Sequence, residues 1–182
     1  MTGHDDISAL PVTATPEAKA QHYDHVIDII TKVLQGEDDW VAAMATAASL
    51  LHSAFDYFHW TGFYQAGRPG ASETEELVIG PYQGHLGCLR IPFSRGVCGA
   101  AARSRTTQLV PYVSQFPGYI ACASSTQSEI VVPVVEAGSR RLRAVLDVDS
   151  DLPAAFTQVD QEHLERLCAW LGSQRGFWGG DE

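Results

Sequence analysis

The sequence predicts an α+β fold in which a central, mostly antiparallel sheet has helices packed on one side. Before His59, apolar side chains recur with the spacing of amphipathic helices. After His59, short segments rich in β-branched and aromatic residues alternate with turns, and one long helical pattern closes the chain. The 182 residues, 45% of them hydrophobic, are enough to bury one core. Helices followed by a run of strands are typical of α+β domains.

The helical part divides at two capping signals. Thr15 followed by Pro16 favours a helix start, because threonine caps helices well and proline suits the first helical position. A second helix is predicted to begin around Asp38 and Asp39, where acidic side chains suit the positive end of the helix dipole. The predicted divisions are residues 1–14 as a poorly ordered segment, 15–35 as an N-terminal helix, 36–175 as the main domain and 176–182 as a tail.

Six segments are predicted as strands, and the turns between them include Gly67–Gly70 and Ala137–Ser139. A short helix is predicted over Gly96–Arg103, and a last helix begins after Thr157. Residues 111–128 form a long loop, and long loops in compact domains commonly carry function. The predicted strands are Trp60–Tyr64, Leu77–Ile79, Leu89–Pro92, Gln108–Val110, Ile130–Val135 and Leu142–Val148.

Composition excludes several classes of protein. The net charge of -10 argues against a nucleic-acid partner, because phosphate binding needs clustered Lys and Arg. The one dense basic patch, residues 140–143, is interpreted as a solvated turn. No apolar run approaches the ~20 residues that span a bilayer, and the first residues do not resemble a signal peptide. With four cysteines, too few for a disulfide scaffold, a reducing cytoplasm is the predicted compartment.

The four cysteines divide unequally. Cys168 lies on the apolar stripe of the last helix and is predicted to be a core residue. Cys88 follows Gly84-His85-Leu86-Gly87, Cys98 has Gly96 and Gly99 on either side, and Cys122 lies in the long loop. Redox chemistry and inert burial therefore both stay open for these three. Their separations of ten and 24 residues lack the close pair of structural zinc sites, so no metal is predicted. Phosphate-binding glycine motifs are also absent.

Two carboxylates, Asp147 and Asp149, lie on one face of a predicted strand, because side chains alternate along strands. This pattern fits either a solvent-facing strand end or a functional site. A three-residue loop at Gly138–Arg140 would place Glu129 opposite Asp149, whereas a two-residue turn would place it on the other face. Three neighbouring acids would raise the pKa of at least one of them, leaving a carboxyl that can donate a proton and neighbours that can hold an ammonium group.

A set of ordered motifs resembles the free methionine-R-sulfoxide reductases, which are built on the GAF domain. The resemblance runs from about residue 40 to 172 and includes three of the cysteines. It therefore implies a single GAF-like domain with oxidoreductase activity. The motifs are Trp60-Thr-Gly-Phe-Tyr64, Leu77-Val-Ile-Gly-Pro-Tyr-Gln-Gly84, Cys88-Leu-Arg-Ile-Pro92, Arg95-Gly-Val-Cys-Gly-Ala100, Tyr119-Ile-Ala-Cys122, Ser128-Glu-Ile-Val-Val-Pro133 and Val145-Leu-Asp-Val-Asp-Ser150.

The resemblance implies a role for each of these cysteines in reducing free L-methionine-(R)-sulfoxide to L-methionine. Cys122 matches the catalytic thiol that attacks the sulfoxide sulfur and becomes a sulfenic acid. Cys88 matches the resolving thiol that condenses with it to a disulfide, and Cys98 matches an additional thiol able to take part in disulfide relay. Thiolate attack followed by disulfide formation is the reversible part of cysteine oxidation. Thioredoxin is the implied reductant, and no metal or organic cofactor is implied.

The remaining site residues also follow from the resemblance. The acids Glu129, Asp147 and Asp149 match those that bind the substrate amino group and assist the sulfoxide oxygen. Trp60 matches an aromatic wall for the substrate methyl group, to which Tyr64 adds.

One departure from the family pattern is Ala123, where an acidic residue commonly follows the catalytic cysteine. GAF domains often pair through their helices, so a homodimer is a further expectation. The alternative function is a non-catalytic GAF module that binds a small ligand or senses redox state through the same cysteines.

Overall fold

A computed structural model describes residues 7–67 and 75–178. Its six strands form one antiparallel sheet in the order β3-β2-β1-β6-β5-β4. Two short 3-10 turns cover Val113–Gln115 and Arg175–Trp178. The helices are α1 (Pro16–Val33), α2 (Trp40–Ala54), α3 (Gly96–Ser104) and α4 (Gln158–Ser173). The strands are β1 (Trp60–Ala66), β2 (Glu76–Gln83), β3 (Arg90–Pro92), β4 (Gln108–Val110), β5 (Ser128–Val135) and β6 (Leu142–Ser150).

Three helices cover one face of the sheet, and α3 covers the other. Apolar side chains of α1, α2 and α4 form the larger core with one face of β5 and β6. Because α3 joins β3 at one sheet edge to β4 at the opposite edge, it crosses the second face and builds a smaller core there. The expectation that all helices lie on one side is therefore corrected for α3. Among the residues the model describes, no helix is both long enough and apolar enough to cross a membrane.

Side-chain caps begin the long helices at or close to the predicted positions. The Thr15 side chain accepts a hydrogen bond from the Ala18 backbone N–H at 3.2 Å, and Asp39 caps α2 in the same way through Ala42. At α4, Thr157 and Asp160 form a capping box in which each side chain accepts from the other residue's backbone N–H. Local polar chemistry thus sets where each helix starts.

The Asp160 carboxylate also holds α1 against α4 inside the larger core. Tyr23 and Tyr57 donate hydrogen bonds to Oδ1 at 2.9 and 2.7 Å, and the Lys19 ammonium group lies 3.0 Å from Oδ2. Lys19 is 3% exposed and Asp160 is fully buried. A buried ion pair is tolerated only where its remaining hydrogen-bonding capacity is filled, and here it is filled on both oxygens.

The β5–β6 hairpin sets the register of the acidic residues. Glu129 lies opposite Asp149, as the three-residue loop predicted, although the chain reaches this register differently. Glu136 and Arg141 flank a four-residue loop, and a bulge where Val135 pairs with Leu142 absorbs the extra residue. A four-residue loop alone would place Glu129 on the opposite face of the sheet from Asp149. The bulge adds one residue to β6, so the two side chains lie on the same face.

The segment before α1 is joined to the chain that follows α2. The Leu10 N–H donates a hydrogen bond to the Ala54 carbonyl, and the Leu10 carbonyl accepts one from the Asp56 N–H. Backbone hydrogen bonds of this kind leave no hydrophobic pattern in the sequence. The turn predicted at Gly67–Gly70 lies largely outside the described residues, as do residues 1–6 and 179–182 of the two terminal segments.

Candidate active site

Cys88 and Cys122 form a disulfide, although 34 residues separate them in the chain. Their Cα atoms lie 5.2 Å apart, and both residues are partly exposed. Cys88 lies in the β2–β3 loop and Cys122 in the β4–β5 loop, so the bond joins loops from opposite edges of the sheet. The loops meet above the sheet face that carries α3.

A cleft of about 310 Å³, including its open mouth, lies beside the disulfide. Its walls come from the start of α3, the β4–β5 loop and the outward faces of β5 and β6. None of the described residues that line it is Lys or Arg, whereas three are acids. The cleft is therefore complementary to a cationic group. The lining residues are Ile91, Gly96, Val97, Cys98, Tyr119, Ile120, Cys122, Glu129, Asp147 and Asp149.

The three acids form the polar wall of the cleft. Glu129 and Asp149 are a cross-strand pair, and Asp147 lies two residues before Asp149 on the same face of β6. Glu129 and Asp147 are each 5% exposed, and Asp149 is partly buried. The alternative of a solvent-facing strand end is therefore wrong for Asp147. Its Oδ1 atom is buried and has no hydrogen-bond partner among the described residues.

Burial changes the acid–base behaviour of this wall. Burial raises the pKa of Asp147 to about 7. Burial, together with the charges of Asp147 and Asp149, raises the pKa of Glu129 well above its usual range. Burial and the charge of Asp147 also raise the pKa of Asp149 well above its usual range. The wall therefore retains protons near neutral pH, because adjacent buried carboxylates disfavour one another's ionisation.

Cys98 is a buried thiol behind the acidic wall. It is 3% exposed, and its Sγ atom lies 3.9 Å from Glu129 Oε1 in donor geometry. Burial, followed by the charges of Asp147 and Glu129, raises the pKa of the Cys98 thiol well above its usual range. Cys168, in contrast, is buried in the larger core, as its place on the helical stripe predicted.

The predicted aromatic wall, Trp60 and Tyr64, lies under the Cys88 loop and does not line the cleft. The two rings stack with centroids 5.7 Å apart, and Tyr82 stacks on the Trp60 ring at 5.2 Å. A Cβ atom added at Gly87 would lie 3.0 Å from the Tyr64 hydroxyl and 3.1 Å from the Trp60 ring. The loop thus lies directly on these rings while Cys88 is joined to Cys122.

Sequence reasoning assigned no role to the apolar residues that line the cleft. Ile91, Val97 and Ile120 form its apolar side, and Tyr119 stands near the acids. Burial and the Glu129 charge raise the pKa of Tyr119, so its hydroxyl stays protonated and can donate a hydrogen bond. The one sequence signal for these residues was that all four lie within the motifs that carried the resemblance.

The fold is that of a GAF domain. A solved GAF domain is 32% identical, with a TM-score of 0.80, over 94% of this chain and 97% of that chain. With its disulfide beside an acidic cleft, the molecule is a GAF-domain oxidoreductase. No protein-family model matches the chain.

Two named relatives give the particular family. The free methionine-R-sulfoxide reductase of Saccharomyces cerevisiae is 41% identical over 146 residues, which is 78% of this chain and 79% of the relative. A crystal structure of the Neisseria meningitidis free methionine-R-sulfoxide reductase, in complex with its substrate, is 39% identical with a TM-score of 0.78 and covers 91% of this chain and 93% of that chain. The chain belongs to the free methionine-R-sulfoxide reductase family.

Proposed function

We propose that the protein reduces free L-methionine-(R)-sulfoxide to L-methionine. The observation that carries the proposal is the Cys88–Cys122 disulfide beside a small acidic cleft, in a chain of this reductase family. A two-electron reduction of a sulfoxide by two thiols leaves a disulfide, so the described state corresponds to the enzyme after turnover.

Cys122 is the proposed nucleophile. Its thiolate attacks the sulfoxide sulfur, the sulfoxide oxygen is transferred to the cysteine as a sulfenic acid, and methionine leaves. The Cys88 thiol then attacks the sulfenic sulfur, which forms the disulfide and releases water. Cys98, the additional thiol, is a reserve for disulfide exchange in this scheme.

The acids have two proposed tasks. A carboxyl of Glu129 or Asp147 that keeps its proton near neutral pH donates it to the sulfoxide oxygen as the S–O bond weakens. Whichever acids of the group are ionised hold the substrate ammonium group, and the described lining of the cleft contains three acids and no Lys or Arg. The three acids titrate together, so the proton belongs to the group and not to one residue.

The aromatic wall takes part only after the disulfide is reduced. Gly87 lies on Trp60 and Tyr64 in the described state, and the Trp60 indole N–H donates to the His85 carbonyl at 3.0 Å. Reduction frees the Cys88 loop from the Cys122 loop. We propose that the loop then moves and that the Trp60 ring receives the substrate methyl group.

Thioredoxin is the proposed reductant. Leu86 and Leu89, on either side of Cys88, are 83% and 73% exposed. A protein dithiol with an apolar surface around its cysteines can cover these side chains while it attacks the partly exposed disulfide. The two electrons come from that dithiol, so the scheme uses no metal or organic cofactor.

The direct test supplies dithiothreitol and each epimer of free methionine sulfoxide and measures methionine. We expect consumption of the R epimer only and loss of turnover in Cys122→Ser, because serine is a poor nucleophile toward sulfur. Cys168→Ser, a buried cysteine of the larger core, is the matched control and keeps its activity.

Two outcomes would contradict the proposal. Equal rates for Cys122→Ser and the parent protein would remove Cys122 as the nucleophile. If neither epimer yields methionine, the protein is a redox-sensing or ligand-binding GAF module, the alternative that uses the same cysteines without catalysis.

A further inference from the structure

Three elements bring together donor atoms that suit a metal ion. Cys98 comes from α3, Glu129 from β5 and Asp147 from β6, and one donor atom of each lies within 4.8 Å of the others. All three side chains are at least 95% buried. Zinc–sulfur and zinc–oxygen bonds of about 2.0–2.3 Å place neighbouring donors some 3–4 Å apart. Small side-chain rotations therefore convert this cluster into three corners of a tetrahedron.

A second observation shows that the cluster is incomplete by itself. The carboxyl of Asp147 interacts with Cys98 and Glu129, yet its Oδ1 atom is buried without a hydrogen-bond partner among the described residues. A buried carboxylate oxygen without a partner is costly, and a cation is one way to satisfy it. None of the described lining residues is Lys or Arg, so a cation at this oxygen would be one that enters from the cleft.

We propose that Cys98, Glu129 and Asp147 form a binding site for Zn²⁺, with the fourth coordination position open to the cleft. A thiolate with two carboxylates favours zinc over calcium and magnesium, which prefer oxygen ligands alone. Three protein ligands with one open position are the arrangement of zinc sites that bind a water molecule or a small ligand. The three anionic donors exceed the charge of the ion by one, so no further anion is needed.

The position of the site gives the ion an inhibitory effect. This part of the inference rests on the proposed function, in which Glu129 and Asp147 supply the proton for the sulfoxide oxygen and, when ionised, help to hold the ammonium group. A zinc ion bound to these two carboxyls occupies groups that the substrate needs, so zinc competes with methionine sulfoxide. Because the disulfide does not involve Cys98, the donor set is complete in the oxidised protein.

The test uses oxidised, chelator-treated full-length protein in the absence of substrate. Zn²⁺ is titrated by calorimetry, and Co²⁺ serves as a spectroscopic probe, because a cobalt–thiolate bond gives a charge-transfer absorption band. We expect one ion per chain and a thiolate band. Cys98→Ser is expected to lose the band and to weaken zinc binding on the order of 10- to 100-fold.

Cys168→Ser is the matched control, since Cys98 and Cys168 are the free buried cysteines of the described chain. It is expected to bind both ions like the parent protein. Asp147→Asn provides a second variant that keeps the side-chain shape, and it is expected to weaken zinc binding without loss of the fold, checked by circular dichroism. A thiolate band retained in Cys98→Ser, or equal zinc affinity in all four proteins, would show surface binding only and overturn the proposal.

A competition measurement separates this inference from the proposed function. Activity is followed with a phosphine reductant, because dithiols chelate zinc. We expect zinc to raise the KM for methionine-R-sulfoxide and to leave kcat unchanged. Specific zinc binding in a protein that turns over no sulfoxide would retain the site and reject the proposed function. An active protein that shows no thiolate band with Co²⁺ would retain the proposed function and reject the zinc site.

Discussion

Among single residues, the Asp147 carboxyl lowers the stability of the fold when it is ionised, while its proton serves the proposed reaction. Its carboxyl is buried with Glu129 and beside Asp149, and burial raises its pKa to about 7. A raised pKa means that the folded protein binds this proton more tightly than the unfolded chain does. Folding is therefore penalised once the group ionises, whereas the same proton is available to a sulfoxide oxygen. Such conflicts between stability and function are common at active sites.

We predict that Asp147→Asn stabilises the chelator-treated protein by roughly 1–3 kcal/mol at pH 8. Well below pH 4 both the folded and the unfolded parent protein carry the proton, so the difference disappears there. It grows as the unfolded chain loses the proton above about pH 4, and it is complete once the folded carboxyl ionises above about pH 7. Urea unfolding at pH 4, 6 and 8 measures this change. Glu162→Gln, on the exposed surface of α4, is the control and shows no such trend. A stability gain that is independent of pH would contradict the assignment of the effect to this ionisation.

At the scale of elements, the loop between β2 and β3 connects the disulfide to the solvent and to the aromatic wall. It carries Cys88 with two exposed leucines, and Gly87 rests on Trp60 and Tyr64. The loop is held by hydrogen bonds to its His85 and Leu89 carbonyls and by the disulfide to Cys122. The element is thus suited both to meet a protein reductant and to move after reduction.

We predict that replacing Leu86 and Leu89 together by serine raises the KM for thioredoxin on the order of tenfold, because apolar contact area at the centre of an interface carries much of its binding energy. The rate with dithiothreitol stays the same, since that small reductant needs no docking surface. Val41→Ser, 55% exposed on α2, is the control for a lost surface apolar residue. An unchanged KM for thioredoxin in the double variant would place the docking surface elsewhere.

Sequence reasoning was most successful where the cause is local. The starts of α2 and α4 are fixed by Asp39 and by the Thr157–Asp160 capping box, which are visible as residue types at given spacings. The alternation of Asp147 and Asp149 likewise placed both acids on one face. Strand ends were less accurate: β2 continues beyond Ile79 through Gly80 and Pro81, residues that are depleted in strands.

At the scale of the whole molecule, the site exists because the sheet brings loops from its two edges together. Cys88 lies next to β3 and Cys122 next to β5, and the α3 crossover carries Cys98 between them. Such contacts depend on tertiary structure, so residue spacing could not predict the cleft. The proposed zinc ligands Cys98, Glu129 and Asp147 were missed for the same reason, because they come from three separate elements. A search for closely spaced cysteine pairs does not detect such a site. The homodimer through the helices stays a prediction.

We propose that Cys122 and Cys88 together take up the oxidising equivalents of the sulfoxide, and peptide mapping after one turnover checks this pairing. Fully reduced protein is freed of reductant, given one equivalent of methionine-R-sulfoxide, denatured in alkylating reagent and analysed by mass spectrometry. We predict a loss of about two mass units, in a Cys88–Cys122 disulfide, with Cys98 and Cys168 alkylated. Alkylation of all four cysteines, or a disulfide that includes Cys98 in place of either partner, would rule out Cys88 and Cys122 as the redox pair.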